Sequence, residues 1–164
     1  MNKITASRKG FITVSIMIIL SLFFFYVLKQ PVNSRDIYII FAVYTIGILW
    51  GLISFSKTAM ATTKFNEYFS EGFKIFIIVT FFMVLYTCLL NVFNPQIREV
   101  QFAINDQLTR QGFNYTPAEI AENNARLRSI YMPMTLAINT VLYLVLGTII
   151  TTVTSAVIIQ LKKK

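Results

Sequence analysis

Apolar positions along this chain gather into four unbroken runs, 10–28, 37–55, 75–93 and 134–161, none of which contains a charged residue. The first three are 19 residues long and the last is 28. At a rise of about 1.5 Å per residue, 19 helical residues extend roughly the 30 Å of a bilayer's hydrocarbon core. The pattern therefore predicts an all-α membrane protein with four transmembrane helices in a single domain spanning 1–164. A cleaved signal peptide is the rival reading of the first run. It is disfavoured because the run exceeds a usual h-region and Phe23-Phe24-Phe25-Tyr26 is no small-residue cleavage site.

The polar stretches have patterns of their own. Phe65, Tyr68, Phe69, Gly72, Phe73 and Phe76 recur at helical spacing, with Lys64, Asn66, Glu67, Ser70 and Glu71 on the other side. This predicts an amphipathic helix before the third span. Phe65, Tyr68, Phe69 and Phe73 would lie in the headgroup region, and Lys74 would snorkel from the span's first turn. Between spans three and four, residues 94–132 predict a helical hairpin outside the membrane. Asn94-Pro95 reads as a cap with proline at the first helical position. Ile97, Val100, Ile104 and Leu108 then form an apolar stripe, and Gly112 supplies a stop. Thr116-Pro117-Ala118-Glu119 is a capping box opening the second helix, on which Ile120, Leu127 and Tyr131 share a face. Pro133 is expected to divide this hairpin from the last span, and Asn33, Ser34 or Asp36 to cap the second.

Small residues mark close approach. Gly47 and Gly51 place a G-x-x-x-G groove on the second span, and Gly147, Thr151 and Ser155 form a small-residue stripe on the fourth. Packing within the chain is the plain reading of both; self-association or a partner helix is the other.

Composition sharpens the class. The chain is 55% apolar and only 13% charged, with mean hydropathy +0.63. Its net charge of +8 flanks the apolar runs and is not interleaved with exposed aromatics, so it points to lipid and topology and not to nucleic acid. Nine basic residues (Lys3, Arg8, Lys9, Lys57, Lys64, Lys74, Lys162, Lys163, Lys164) lie on one side with Glu67 and Glu71. Six (Lys29, Arg35, Arg98, Arg110, Arg126, Arg128) lie on the other with five acids, Asp36, Glu99, Asp106, Glu119 and Glu122. The positive-inside rule then places both termini in the cytoplasm.

Candidate chemistry is sparse. There is no histidine, and the lone cysteine, Cys88, lies within the third run. No nucleophile–base pair, metal set or cofactor motif can be assembled, so no enzyme, metal or cofactor is expected. No run carries an ionisable group away from its ends, and such groups mark ion and proton paths. The hairpin's four acids alternate with arginines in the manner of a solvated surface. Asn114-Tyr115-Thr116 matches a glycosylation sequon, but Thr116 serves better as a cap.

Four spans, Phe65-x-x-Tyr68-Phe69-x-x-Gly72 entering the third, Asn94-Pro95 at its exit and an amphipathic hairpin before the fourth resemble the bacterial membrane family called domain of unknown function 4199. The resemblance covers nearly the whole chain and implies an inner-membrane protein with no catalytic residue to carry over. The expected role is a non-enzymatic accessory or scaffold subunit of a membrane assembly. Its partners would be membrane lipid and another membrane protein or a second copy of the chain. The alternative is a carrier or flippase for a lipid-linked or small amphiphilic molecule, with Asn91, Asn139 and the threonines of the last span along its path.

Overall fold

The computed structural model describes residues 5–28, 36–60, 62–112 and 116–162. Lys3, Lys29, Asn33, Ser34, Arg35, Asn114, Tyr115, Lys163 and Lys164, invoked above for topology, capping or the sequon, lie outside them. The described residues form five helices and no strand: α1 (Ala6–Tyr26), α2 (Asp36–Ser56), α3 (Phe65–Phe93), α4 (Pro95–Gly112) and α5 (Pro117–Lys162). Four of them, α1, α2, α3 and α5, are long and apolar enough to cross a membrane. Their outward faces carry Ile12, Ile19, Ile46, Trp50, Phe81, Leu85, Ile149 and Val153, all exposed. Apolar side chains on the outside as well as the inside are what lipid as solvent requires. The chain is a multi-pass membrane protein.

Two boundaries differ from the sequence reading. The amphipathic segment, expected as a helix that bends into the third span, is one helix with it; Phe65 opens the same 29 residues that end at Phe93. Nor does Pro133 divide the last span from the hairpin. It sits inside α5, which runs unbroken for 46 residues, about 69 Å. Proline removes one backbone donor, and the turns on either side retain enough bonds to carry the helix through.

The chain forms two compact units, 1–83 with 140–164, and 84–139. In the first, helices meet through glycine. A Cβ placed on Gly47 would come within 2.9 Å of Thr13 Cβ, and one on Gly51 would meet the tip of Ile75 and, at 3.9 Å, Lys9 Cδ. Thr13 opposite Gly47 and Lys9 opposite Gly51 define an antiparallel α1–α2 register. Gly10 repeats the device against α3, where its Cβ would lie 3.2 Å from the Ile75 carbonyl oxygen. Between α3 and α5, Gly72 meets Thr151 and Gly147 meets Phe76. That antiparallel register carries Tyr68 to the level of Ser155, so small and large side chains alternate down the seam. Lipid offers no hydrophobic drive between helices, so this close interlocking is the main attraction available. Tyr44 closes the core by donating to the Tyr143 carbonyl at 2.8 Å while their rings meet edge to face at 5.4 Å.

The second unit contains the hairpin. Its capping box forms as read: Glu119 N–H donates to Thr116 Oγ1 at 3.4 Å, and Thr116 N–H donates to Glu119 Oε2 at 2.7 Å. Asn94 also reaches backward, its amide donating to the Leu90 carbonyl at 3.1 Å at the end of α3.

Candidate functional site

Two places in the molecule hold arrangements beyond plain packing. The first is a polar layer in the first unit, at the end where α1 begins and α5 finishes. Thr5 opens α1, its side chain accepting from Arg8 N–H, so Arg8 and Lys9 belong to the helix and do not precede it. Lys9 is only 3% exposed, which corrects its placement among the headgroup cations. Its ammonium donates to the Gly51 carbonyl at 3.2 Å and stands 3.8 Å from Glu71 Oε1, whose side chain is 15% exposed. Thr13 Oγ1 donates back to the Lys9 carbonyl at 2.9 Å, tying the next turn of α1 to the site. The unsubstituted Cα of Gly51 admits the tip of Ile75, and the lysine stem lies alongside it.

Tyr68 was expected at the lipid interface with Phe65, Phe69 and Phe73. It is fully buried instead, while Phe65 and Phe73 are exposed and Phe69 is half-buried. The reason is angular. Tyr68, Glu71, Gly72, Ile75 and Phe76 share the α3 face that meets the other helices, and the phenylalanine row lies to one side of it. Tyr68 packs edge-on to Phe55 at 5.2 Å. The Lys162 ammonium lies 5.7 Å from its ring centre and donates to the Ser56 and Ala59 carbonyls at 2.7 and 3.1 Å. Lys162 thus satisfies carbonyls at the end of α2 that have no intrahelical donor. Thr151 and Ser155 are also fully buried. The hydroxyls of Tyr68, Thr151 and Ser155 have no hydrogen-bond partner.

Gly47, Gly51, Gly147 and Thr151 are therefore occupied from within the chain: by Thr13, by Lys9 and Ile75, by Tyr44 and Phe76, and by Gly72 for Thr151, and Ser155 is buried in the same unit. Sequence reasoning missed the Lys9–Glu71 pair because the flanking rule assigns terminal cations to the headgroups. A signal was present: Lys9 is followed by Gly10 and Thr13, and Glu71 lies one turn from Tyr68 on the face that continues to Ile75.

The second place is the hairpin. The side of α4 turned toward α5 carries Glu99, Phe102 and Asp106. Asp106 accepts from Arg110 Nε and from the Asn124 amide, both at 2.9 Å, and these two bonds hold its carboxyl below the ordinary range. Glu99 and Arg128 form a forked pair at 3.0 and 2.9 Å. The Arg128 guanidinium also stands 4.5 Å above the Phe102 ring, which meets Tyr131 at 5.2 Å. The opposite side of α4 presents Val100, Ile104 and Leu108 at 50%, 43% and 62% exposure, with Ile97 alone of the stripe buried. On a helical projection Gln96, Ala103 and Gln107 border one edge of this row and Gln101 the other, and the nearest charges, Arg98 and Arg110, stand about 80° beyond its two edges.

Among the described residues, no three of His, Cys, Asp or Glu converge. Asn91 is buried with its amide donating to the Thr87 carbonyl at 2.9 Å and its Oδ1 without a partner. Cys88 is a half-buried free thiol. Compared with known proteins, the chain matches no family model, no curated protein and no solved structure.

Proposed function

We propose that this chain is a non-enzymatic accessory or scaffold subunit of a membrane assembly, anchored by its four spans and offering the outer face of α4 to a partner. The observation that carries this reading is the outward apolar row of α4. Asp106 with Asn124 and Glu99 with Arg128 link α4 to α5, while Val100, Ile104 and Leu108 face outward. A row of apolar side chains at positions i, i+4 and i+8 is the shape by which one helix is recognised by an apolar groove. The neutral glutamine border asks for a dry, uncharged partner surface. Interfacial lipid is the rival occupant of this row, because Arg98 and Arg110 stand beyond its two edges. The small-residue stripes supply no competing surface, since the chain's own side chains fill them.

The same proposal places the protein in a bacterial inner membrane, with both termini inside and the hairpin outside, on the charge distribution and on the likeness to the domain of unknown function 4199 family. The carrier reading gains no support from the fourth span: Thr151, central to its polar path, is packed against Gly72.

The test is purification of the tagged chain from its native membrane beside a Val100→Asp/Ile104→Asp variant. Both changes fall on exposed positions, so the monomer keeps its fold. A stoichiometric membrane protein held by the wild type and lost from the variant is the expected result. A partner retained equally by both, or lipid transport by the purified chain in vesicles, would overturn the reading.

A further inference from the structure

The polar layer of the first unit holds more hydrogen-bonding capacity than its own side chains use. Tyr68, Thr151 and Ser155 are each 0% exposed, and each hydroxyl is without a partner. They are neighbours by register: Thr151 lies against Gly72, and Tyr68 and Ser155 sit one turn further toward the chain termini on the same two helices. Glu71 follows Tyr68 by three residues and so projects from the same side of α3. Lys9 is equally underused. An ammonium has three donors. Here one reaches the Gly51 carbonyl, and the carboxylate at 3.8 Å stands beyond a direct hydrogen bond. Threonine in a membrane helix ordinarily satisfies itself on the carbonyl four residues back, as Thr148 does on Leu144 at 2.7 Å. Thr151, on the buried face, does not.

From these groups we propose an internal hydration site. Tyr68, Thr151 and Ser155, together with the Lys9–Glu71 pair, bind water inside the first unit at the end where α1 begins and α5 finishes. Water is the ligand that fits the donor set. The pair is neutral in sum, which disfavours a free ion of either sign, and the three hydroxyls can each donate and accept. Small polar cavities hold water when two to four partners converge. A buried ion pair gains most when its remaining donors and lone pairs are also satisfied, which water at this layer accomplishes. The site thus explains how a lysine can sit inside a bundle otherwise built from apolar and small residues.

The experiment is water-edited solid-state NMR on the full chain in lipid bilayers, read at assigned carbons. Polarisation from water is expected to reach Tyr68, Thr151, Ser155 and the Glu71 carboxyl several-fold faster than it reaches Ile48 and Val79, which are fully buried in the same unit. Build-up at the three hydroxyl residues as slow as at Ile48 would overturn the proposal. A Thr151→Val/Ser155→Ala variant separates internal water from water at the membrane surface. Build-up at Tyr68 and Glu71 should fall at least twofold in it, and an unchanged rate would overturn the proposal. Thr151→Val alone, isosteric and mild, gives a second readout. If Thr151 is hydrated, its unfolding equilibrium constant stays level or rises. If the hydroxyl is dry, removing it relieves an unmet group and lowers that constant by about tenfold, which sinks the idea.

Discussion

Replacing Lys9 by methionine keeps an unbranched stem of nearly the same length and removes its charge. Glu71 would then lose the buried ammonium beside it, and Gly51 would lose the donor to its carbonyl. Breaking one side of a buried ion pair costs about 3–5 kcal/mol. Two features of this pair argue for the lower end: the 3.8 Å separation and the 15% exposure of the Glu71 side chain. A loss of about 3 kcal/mol is expected, a factor of roughly 150 in the unfolding equilibrium. Glu71→Gln should cost less, about 1–2 kcal/mol, because Lys9 keeps its bond to Gly51 and can extend toward the headgroups. Lys9→Met/Glu71→Gln together should then cost clearly less than the two single losses added, by about 1–3 kcal/mol of coupling. Equilibrium unfolding of the purified protein in mixed micelles of mild and denaturing detergent measures all four corners of the cycle. Strict additivity would refute the reasoning, for it would mean that the two groups are solvated separately and do not act as a pair.

Three further outcomes follow from the geometry. Gly147→Ala places a Cβ 2.6 Å from Phe76 Cγ and should cost about 1–3 kcal/mol by the same unfolding assay, whereas Gly51→Ala meets only the flexible tip of Ile75 and should cost less than about 1.5 kcal/mol. Asp106 has its carboxyl lowered from 3.8 first by Asn124 and then by Arg110, so the hairpin's contribution from this group is present above 3.8 and fades as pH falls through the lowered folded value. Spin labels at Gln107 and Ala121, on a Cys88→Ala background, should report a broadened α4–α5 distance in that acid range, and Asp106→Asn should abolish the response. Thr116→Ala removes one half of the capping box and should loosen the first turn of α5 by about 0.5–2 kcal/mol, seen as faster hydrogen exchange at 118–120 with the rest of α5 unchanged.

What the sequence determined alone is what depends on one-dimensional pattern. Uncharged runs of bilayer length can only be spanning helices, because in lipid every backbone group must be satisfied within its own helix. The capping box at Thr116–Glu119 was equally legible, since its partners lie three residues apart. Only the tertiary structure decided where Lys9, Glu71 and Tyr68 go. Each stands at the border of an apolar run, where sequence rules assign charge and aromatic rings to the headgroups. Each is turned inward by the register that Thr13–Gly47 and Gly72–Thr151 contacts impose between helices far apart in the chain. The hairpin shows the same limit. Its apolar stripe was visible, but the direction it faces was set by Asp106 meeting Asn124 and Glu99 meeting Arg128, 18 and 29 residues apart. A helical wheel ranks the sides of a helix; which side is covered depends on the neighbour, and the neighbour is a property of the folded chain.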